Sequence, residues 1–552
     1  MTTELGARSS EAGFLEQHGS MLALGILGLG VILRIEGFTE WWLNPDEGIY
    51  YSVLTREYFA DFWAQASATA HPPLYFLLLR GMGSLTTDFA WLRSLSLVSG
   101  SVAVYLFFLV GRELGGAGSR AWLAGLLSSL ALAISPRAIA LSQVIRPYML
   151  LVALLAGALY LFLRYLRAPS TRLLVGYAAC ISFAVLLHYS AVLGLGVFGC
   201  LVLADAARRG PGRPEWRRLL AVHSIPGVIL VGLYFAHLRD LMSGSVADTA
   251  LQGWLNAYMI GSPGDVWFSV VGFHSTVVGS DQAASAALFT LVALGYAAWT
   301  RAWTPLVAVG SGLFLAVAGA VSQIYPFGAT RHVSWLLVFV VPVVAWSIAG
   351  MLTSGRKNLA LTLALFSGLA LGGERLRRVL GADRTPQEIS ERVLRTSHVA
   401  AMAEVLDPQA EPSLVFLSVE TYHMLSPLFA LDQPTIRRSR DGLLTHVSWG
   451  SRDVFVLPHR DFASLPDLVG LPHHLYTAVQ KATEEYLETP PAEGEPVLVL
   501  AGGWRSQGMA DLVALSQDFE SLGTTISVPG LIALSLDLDA YARVLSKASA
   551  RP

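Results

Sequence analysis

The chain has 552 residues, of which 53% are hydrophobic and only 14% charged, with a mean hydropathy of +0.52. Those values exclude a soluble protein of this size and point to one that crosses a membrane many times. The formal net charge of −2, with no basic tract and no interleaving of aromatic with basic residues, excludes a nucleic-acid partner.

Residues 1–20 form a polar tail holding Glu4, Glu11 and Glu16, unlike the basic start of a cleavable signal peptide, so Met21 onward is expected as a retained first span. A membrane helix needs about 20 apolar residues. On that basis spans are predicted near 21–39, 91–111, 120–135, 147–164, 172–188, 190–207, 219–236, 283–300, 304–321, 332–353 and 358–373, which makes about 11 transmembrane helices. The apolar piece 72–85 opens on Pro72-Pro73, is interrupted by Arg80 and is short; it is expected as an interfacial or re-entrant helix. With that piece not crossing, one set of loops is basic: Arg112 and Arg120; Arg164, Arg167 and Arg172; Arg208 to Arg218; Arg301; Arg356 and Lys357. The opposite set, 40–90, 136–146, 237–282 and 322–331, is richer in Asp and Glu. The positive-inside rule then places the N-terminus in the cytoplasm and the acidic loops outside. Cys180 and Cys200 fall inside apolar segments and read as packing residues.

After about residue 375 the composition turns polar. Short β-rich runs at 413–419, 453–457, 496–500 and 531–535 are separated by helical stretches such as 386–405, 471–488 and 507–522, an alternation that predicts a soluble α/β domain. The expected organisation is a cytoplasmic tail over 1–20, a transmembrane domain over 21–374 and an extracytoplasmic α/β domain over 375–552.

The residues able to do chemistry cluster in the acidic loops. Asp46-Glu47 follows the first span; one carboxylate can take a proton from an attacking hydroxyl, and the neighbouring charge raises its pKa toward a useful range. The same two acids, after Asn44-Pro45, also suit the N-terminus of a helix. His71 sits on a corner stiffened by Pro72-Pro73, either as an anion ligand or as a histidine bonded to a loop carbonyl. Arg146 and Tyr148 open a span after Ser142-Gln143, where Arg146 reads equally as a lipid-phosphate ligand or an interfacial anchor. Arg331-His332 closes a tight loop that begins at Tyr325, and an Arg there suits forked binding of phosphate oxygens. His188-Tyr189 either lines the same cavity or forms an interhelical hydrogen-bonded pair. The 237–282 loop carries Trp254, Tyr258, Trp267 and Phe268 and suits a helix in the headgroup region. No phosphate-binding glycine loop, nucleophile elbow or zinc-spaced cluster is present in the sequence.

In order and spacing these elements resemble the GT-C membrane glycosyltransferases, close to the bacterial family 39 (protein mannosyltransferase-like) and aminoarabinose-transferase-like enzymes. The elements are Arg34, Trp42-Leu43 before Asp46-Glu47, His71-Pro72-Pro73-Leu74, Ser135-Pro136, Ser142-Gln143 before Arg146-Pro147-Tyr148, His188-Tyr189, and 325–332 with Pro342 following. The resemblance covers about residues 21–373. It implies a polytopic α-helical GT-C fold in a bacterial inner membrane and an inverting transferase that takes a sugar from a polyprenyl-phosphate carrier on the extracytoplasmic face. In that scheme Asp46 is the general base with Glu47 beside it. Arg331, His332, His71, Arg146 and Tyr148 bind the carrier phosphate, and His188 and Tyr189 line the acceptor cavity. The acceptor is a glycan, lipid or protein. Many relatives have an acid in a Ser-Gln-Glu-Ala-Arg element; this chain has Val144-Ile145 there. That disfavours a two-carboxylate site for a divalent cation and favours a metal-independent mechanism. Two other readings remain open: a transporter or flippase for lipid-linked saccharides, and a non-catalytic assembly subunit.

Overall fold

A computed structural model describes residues 2–39, 42–210, 214–243, 255–279, 282–354, 414–431, 435–438, 445–449, 452–457, 497–501, 523–528 and 531–536. The chain divides into two compact units, Met1–Phe38 with Glu57–Asp383, and Thr39–Arg56 with Arg384–Pro552. Residues 39–56, expected as a loop of the transmembrane domain, group with the C-terminal unit.

The first unit is an integral membrane bundle. Among the described residues seven helices are long and apolar enough to cross: Phe14–Ile35, Phe89–Gly115, Tyr148–Arg167, Ala191–Arg209, Glu215–Leu241, Trp303–Val321 and Arg331–Thr353. Two bent pairs, Gly118–Ala133 with Pro136–Ser142 and Pro263–Val278 with Ala283–Trp299, raise the number to nine if each is one span. Thr171–Leu187 is apolar but one of the shorter helices. Of the eleven expected crossings, the one at 358–373 lies outside the described residues, as do the helical stretches 386–405, 471–488 and 507–522 and the side chains of Trp41 and Trp254. The 72–85 piece forms a helix, Leu74–Gly83, of 10 residues, which at about 1.5 Å per residue is half the length needed to cross.

Among the described spans Arg331–Thr353 is the most buried in protein, whereas Glu215–Leu241 is peripheral. Prolines set the breaks that matter for the site. Pro136 occupies the first turn of Pro136–Ser142, and its ring disfavours helix for Ser135, so the chain turns by 62° after Gly118–Ala133. Pro147 does the same before Tyr148–Arg167. Buried Arg34 fastens this corner to the first span: its guanidinium donates to Ser142 Oγ at 3.1 Å and to the carbonyls of Gly30, Ala133 and Leu132 at 2.9, 3.2 and 3.1 Å. Gln143 Nε2 returns the tie by donating to the carbonyls of Arg34 and Glu36 at 3.1 and 2.6 Å.

The second unit contains a seven-stranded mixed sheet of β1 (Leu414–Ser418), β2 (Thr435–Arg438), β3 (Thr445–Trp449), β4 (Arg452–Leu457), β5 (Val497–Ala501), β6 (Gly523–Val528) and β7 (Leu531–Leu536), in the order β2-β3-β4-β1-β5-β7-β6. The four β-rich runs of the sequence coincide with β1, β4, β5 and β7. β1 is parallel to both β4 and β5, with Val415 opposite Val454 and Leu498; the remaining pairs are antiparallel. Helix Val419–Leu431 follows β1 directly. Helix Pro45–Leu54 packs against it, because Trp42 Nε1 donates to the Met424 carbonyl at 2.8 Å and Ser426 Oγ to the Gly48 carbonyl at 3.2 Å. The approach requires Gly48, since a Cβ there would lie 1.8 Å from the His423 carbonyl oxygen. These contacts are why residues 39–56 belong to this unit.

Candidate active site

In the second unit Asp46 and Glu47 open the helix Pro45–Leu54. The helix-start reading of the pair is the one the structure bears out. Asn44 and Glu47 form a capping box, in which Glu47 Oε2 accepts the Asn44 backbone and side-chain N–H groups at 3.1 and 2.9 Å and Asn44 Oδ1 accepts the Glu47 amide at 2.9 Å. Glu47 is 1% exposed, so its carboxylate is engaged in the cap, and half-buried Asp46 precedes it on the first turn.

In the first unit the structure brings together residues from four separate stretches of the chain. The His71 ring lies edge-on to His188, with centroids 4.9 Å apart. Tyr148, wholly buried, has its ring 5.1 Å from His188 and 6.0 Å from His332. Arg146, 6% exposed, is held by its own carbonyl, which accepts Ser96 Oγ at 2.9 Å. Arg146 and Arg331 both act electrostatically on His71, and His71 is held well below its ordinary pKa by burial first and then by His188, Arg146, His332 and Arg331. At neutral pH His71 is therefore neutral, and the arginines supply the positive charge.

The backbone that presents Arg331-His332 is fixed locally. Tyr325 Oη donates to the His332 carbonyl at 2.6 Å, Thr330 Oγ1 lies 2.8 Å from His332 Nδ1, and the Phe327 amide donates to the Tyr258 carbonyl at 2.9 Å. Gly328 turns the loop with φ +142°, a conformation other residues adopt only under strain. Arg331–Leu336 then forms a 3₁₀ turn that leads into Leu337–Thr353.

Of the sequence-predicted residues, His71, Arg146, Tyr148, His188, Arg331 and His332 thus share one cluster. Tyr189 does not: its ring stacks on His237, with centroids 5.9 Å apart, and its hydroxyl bonds to His237 Nδ1. It is an interhelical pair. Two members escaped the sequence reading. Arg137 is an electrostatic neighbour of Arg331, Tyr148 and Tyr258; an arginine directly after Ser135-Pro136, in a loop otherwise short of charge, was the available signal. Ser190 bonds His188 Nδ1 through its amide at 3.1 Å and its hydroxyl at 2.7 Å. Among the described residues no group of three or more His, Cys, Asp and Glu side chains is placed to hold a metal ion. Chemically the cluster is a set of hydrogen-bond donors and fixed positive charge, suited to an oxyanion or phosphate.

The fold defined by this bundle is that of the GT-C membrane glycosyltransferases. Residues 70–231 match the family model described as dolichyl-phosphate-mannose-protein mannosyltransferase, a segment that includes His71, Arg146, Tyr148 and His188. Among solved structures the chain is similar to ArnT from Cupriavidus metallidurans bound to undecaprenyl phosphate, at 14% identity and a TM-score of 0.50, over 92% of this chain and 97% of that one. It also matches the Archaeoglobus fulgidus oligosaccharyltransferase in complex with zinc and sulfate, at 12% identity and a TM-score of 0.48, over 93% of this chain and 73% of that one. A third match is the S. cerevisiae protein O-mannosyltransferase Pmt1-Pmt2 complex bound to its sugar donor, at 18% identity and a TM-score of 0.34, over 47% of this chain and 36% of that one. Among curated proteins none matches in sequence.

Proposed function

We propose that the chain is an inverting glycosyltransferase that moves a sugar from a polyprenyl-phosphate carrier to an acceptor hydroxyl on the extracytoplasmic face. The observation that carries this reading is the convergence of Arg146, Arg331, His71, His332 and Tyr148 in one cluster, in the fold it shares with an ArnT bound to undecaprenyl phosphate. The acceptor oxygen attacks the anomeric carbon from the side opposite the phosphate. A new C–O bond forms, the acceptor proton passes to the Asp46 carboxylate, and the C–O bond to the carrier breaks with its electron pair on the phosphate oxygen. The donor gains negative charge as it leaves, from diester to monoester, and the guanidinium groups of Arg331 and Arg146 stabilise that charge where it develops. Glu47 fixes the first turn that carries Asp46.

The test is release of label from a panel of radiolabelled polyprenyl-phosphate sugars by purified protein in nanodiscs, wild type against Asp46→Asn. Donor-specific release that requires Asp46 supports the assignment. Undiminished release by the variant removes Asp46 as the base, and saturable carrier binding without release from any donor, in the presence of candidate acceptors, removes the transferase reading.

A further inference from the structure

His188 ends the helix Thr171–Leu187 in extended backbone, φ −158° and ψ 130°, which turns its ring into the cluster beside His71 and Tyr148. Its Nδ1 receives the Ser190 amide at 3.1 Å. An amide nitrogen only donates, so Nδ1 is the acceptor and the neutral ring carries its proton on Nε2. That Nε2 is buried, on a residue only 5% exposed, and has no hydrogen-bond partner among the described residues. The hydroxyl of Tyr148, on a residue with no exposure at all, is in the same condition. Two buried polar groups on neighbouring rings, without a partner among the described residues, call for a ligand that satisfies them.

We infer that His188 Nε2–H and the Tyr148 hydroxyl form the neutral half of a phosphate site, donating to the oxygens whose charge Arg146 and Arg331 balance. The inference rests on the carrier-phosphate reading above and assigns to it a residue whose sequence placed it only along the acceptor cavity. The choice of phosphate over a sugar hydroxyl follows from charge. The groups that act on the His188 ring are Arg146 and Arg331, and a guanidinium only donates. With the ring locked as an Nε2–H donor, this face combines a neutral donor with the fixed positive charge of two guanidinium groups. A phosphate carries the negative charge that balances the guanidinium groups, whereas a sugar hydroxyl carries none. Locking the tautomer through a backbone amide also makes the donor independent of side-chain rearrangement, so the site keeps its hydrogen-bond pattern when charge moves onto the leaving oxygen.

The test uses the full chain in nanodiscs and two probes, a polyprenyl monophosphate and the matching uncharged polyprenyl alcohol. Wild type is expected to bind the phosphate well above the alcohol. His188→Ala and Tyr148→Phe should each weaken phosphate binding about tenfold, the loss of one charge-assisted hydrogen bond, and leave alcohol binding unchanged. His188→Gln, whose side-chain amide can place an N–H near the Nε2 position, should recover most of the loss. If both His188→Ala and Tyr148→Phe hold the phosphate as tightly as wild type, the donor pair is overturned while the carrier-phosphate reading stands. If wild type fails to distinguish phosphate from alcohol, both readings fall. Nitrogen-15 spectra of histidine-labelled wild-type protein test the tautomer directly, without relying on the binding of any variant: the His188 signal, identified by its loss in His188→Gln, should show a protonated Nε2 and a bare Nδ1. The reverse pattern overturns the inference.

Discussion

Glu47 and Asn44 cap one another: one Glu47 oxygen takes two N–H groups of Asn44, and Asn44 Oδ1 takes the Glu47 amide. Under the proposed function the pair Asp46-Glu47 divides its work, Glu47 for the backbone and Asp46 for the acceptor. A glutamine satisfies the same box, so Glu47→Gln should retain turnover within a fewfold. Asn44→Ala should cost about 1 kcal/mol of stability and reduce turnover only through that loss. Asp46→Asn should lower turnover by about 10²–10⁴ with an unchanged melting temperature. Turnover that collapses in Glu47→Gln without a change in melting would return Glu47 to the chemistry.

Arg331 enters the helix Leu337–Thr353 through a 3₁₀ turn and is presented by a loop tied at Tyr325 and Thr330. Its planar fork matches two phosphate oxygens at once, and lysine offers a point charge. Arg331→Lys should therefore keep much of the carrier affinity yet lose about 10²-fold in kcat. A variant that loses affinity with no change in kcat would mean that Arg331 grips donor and leaving group equally and contributes nothing specific to the transition state.

How far the sequence was legible follows from which interactions are local. The prolines at 45, 72–73, 136 and 147 mark corners because their rings act on the adjacent residue, and each corner stands where expected. The capping box was readable from Asn44 and Glu47 because its partners are three residues apart. The grouping of 39–56 with the second unit was not, since it depends on Gly48 meeting His423 and Trp42 meeting Met424 across nearly 400 residues of chain. The cluster was half legible. Residue type marked His71, Arg146, Arg331 and His188 as candidates, but only packing separates His188, which faces Tyr148, from its neighbour Tyr189, which faces His237. Nothing in the string of letters distinguishes two adjacent side chains that leave the backbone in different directions.

Gly328 is a backbone requirement of the loop that presents Arg331. Its φ of +142° and its position three residues before Arg331 predict that Gly328→Ala strains the loop by about 1–3 kcal/mol. The strain should appear as weaker carrier binding more than as global unfolding, because the loop is the element that relaxes. Binding assays and thermal melts on the same preparation separate the two, and wild-type binding in Gly328→Ala would show that the loop tolerates another path.

The last prediction concerns protons on His71. Burial and the nearby positive charge hold its folded pKa well below the ordinary value, which for histidine is about 6.5. Between that value and the lower folded one, the unfolded chain binds a proton that the folded chain refuses. Stability therefore rises with pH across the window and is lost as pH falls below about 6.5, with a slope of up to about 1.4 kcal/mol per pH unit for a single proton. Above pH 7 the group is neutral in both states and contributes no slope. Melting temperatures of wild type and His71→Gln in nanodiscs, from pH 7.5 to pH 5, should start close together and diverge on acidification, with wild type falling faster. Parallel curves would mean that His71 takes its proton as readily in the fold as in the unfolded chain, and that the arginines beside it are neutralised by other groups.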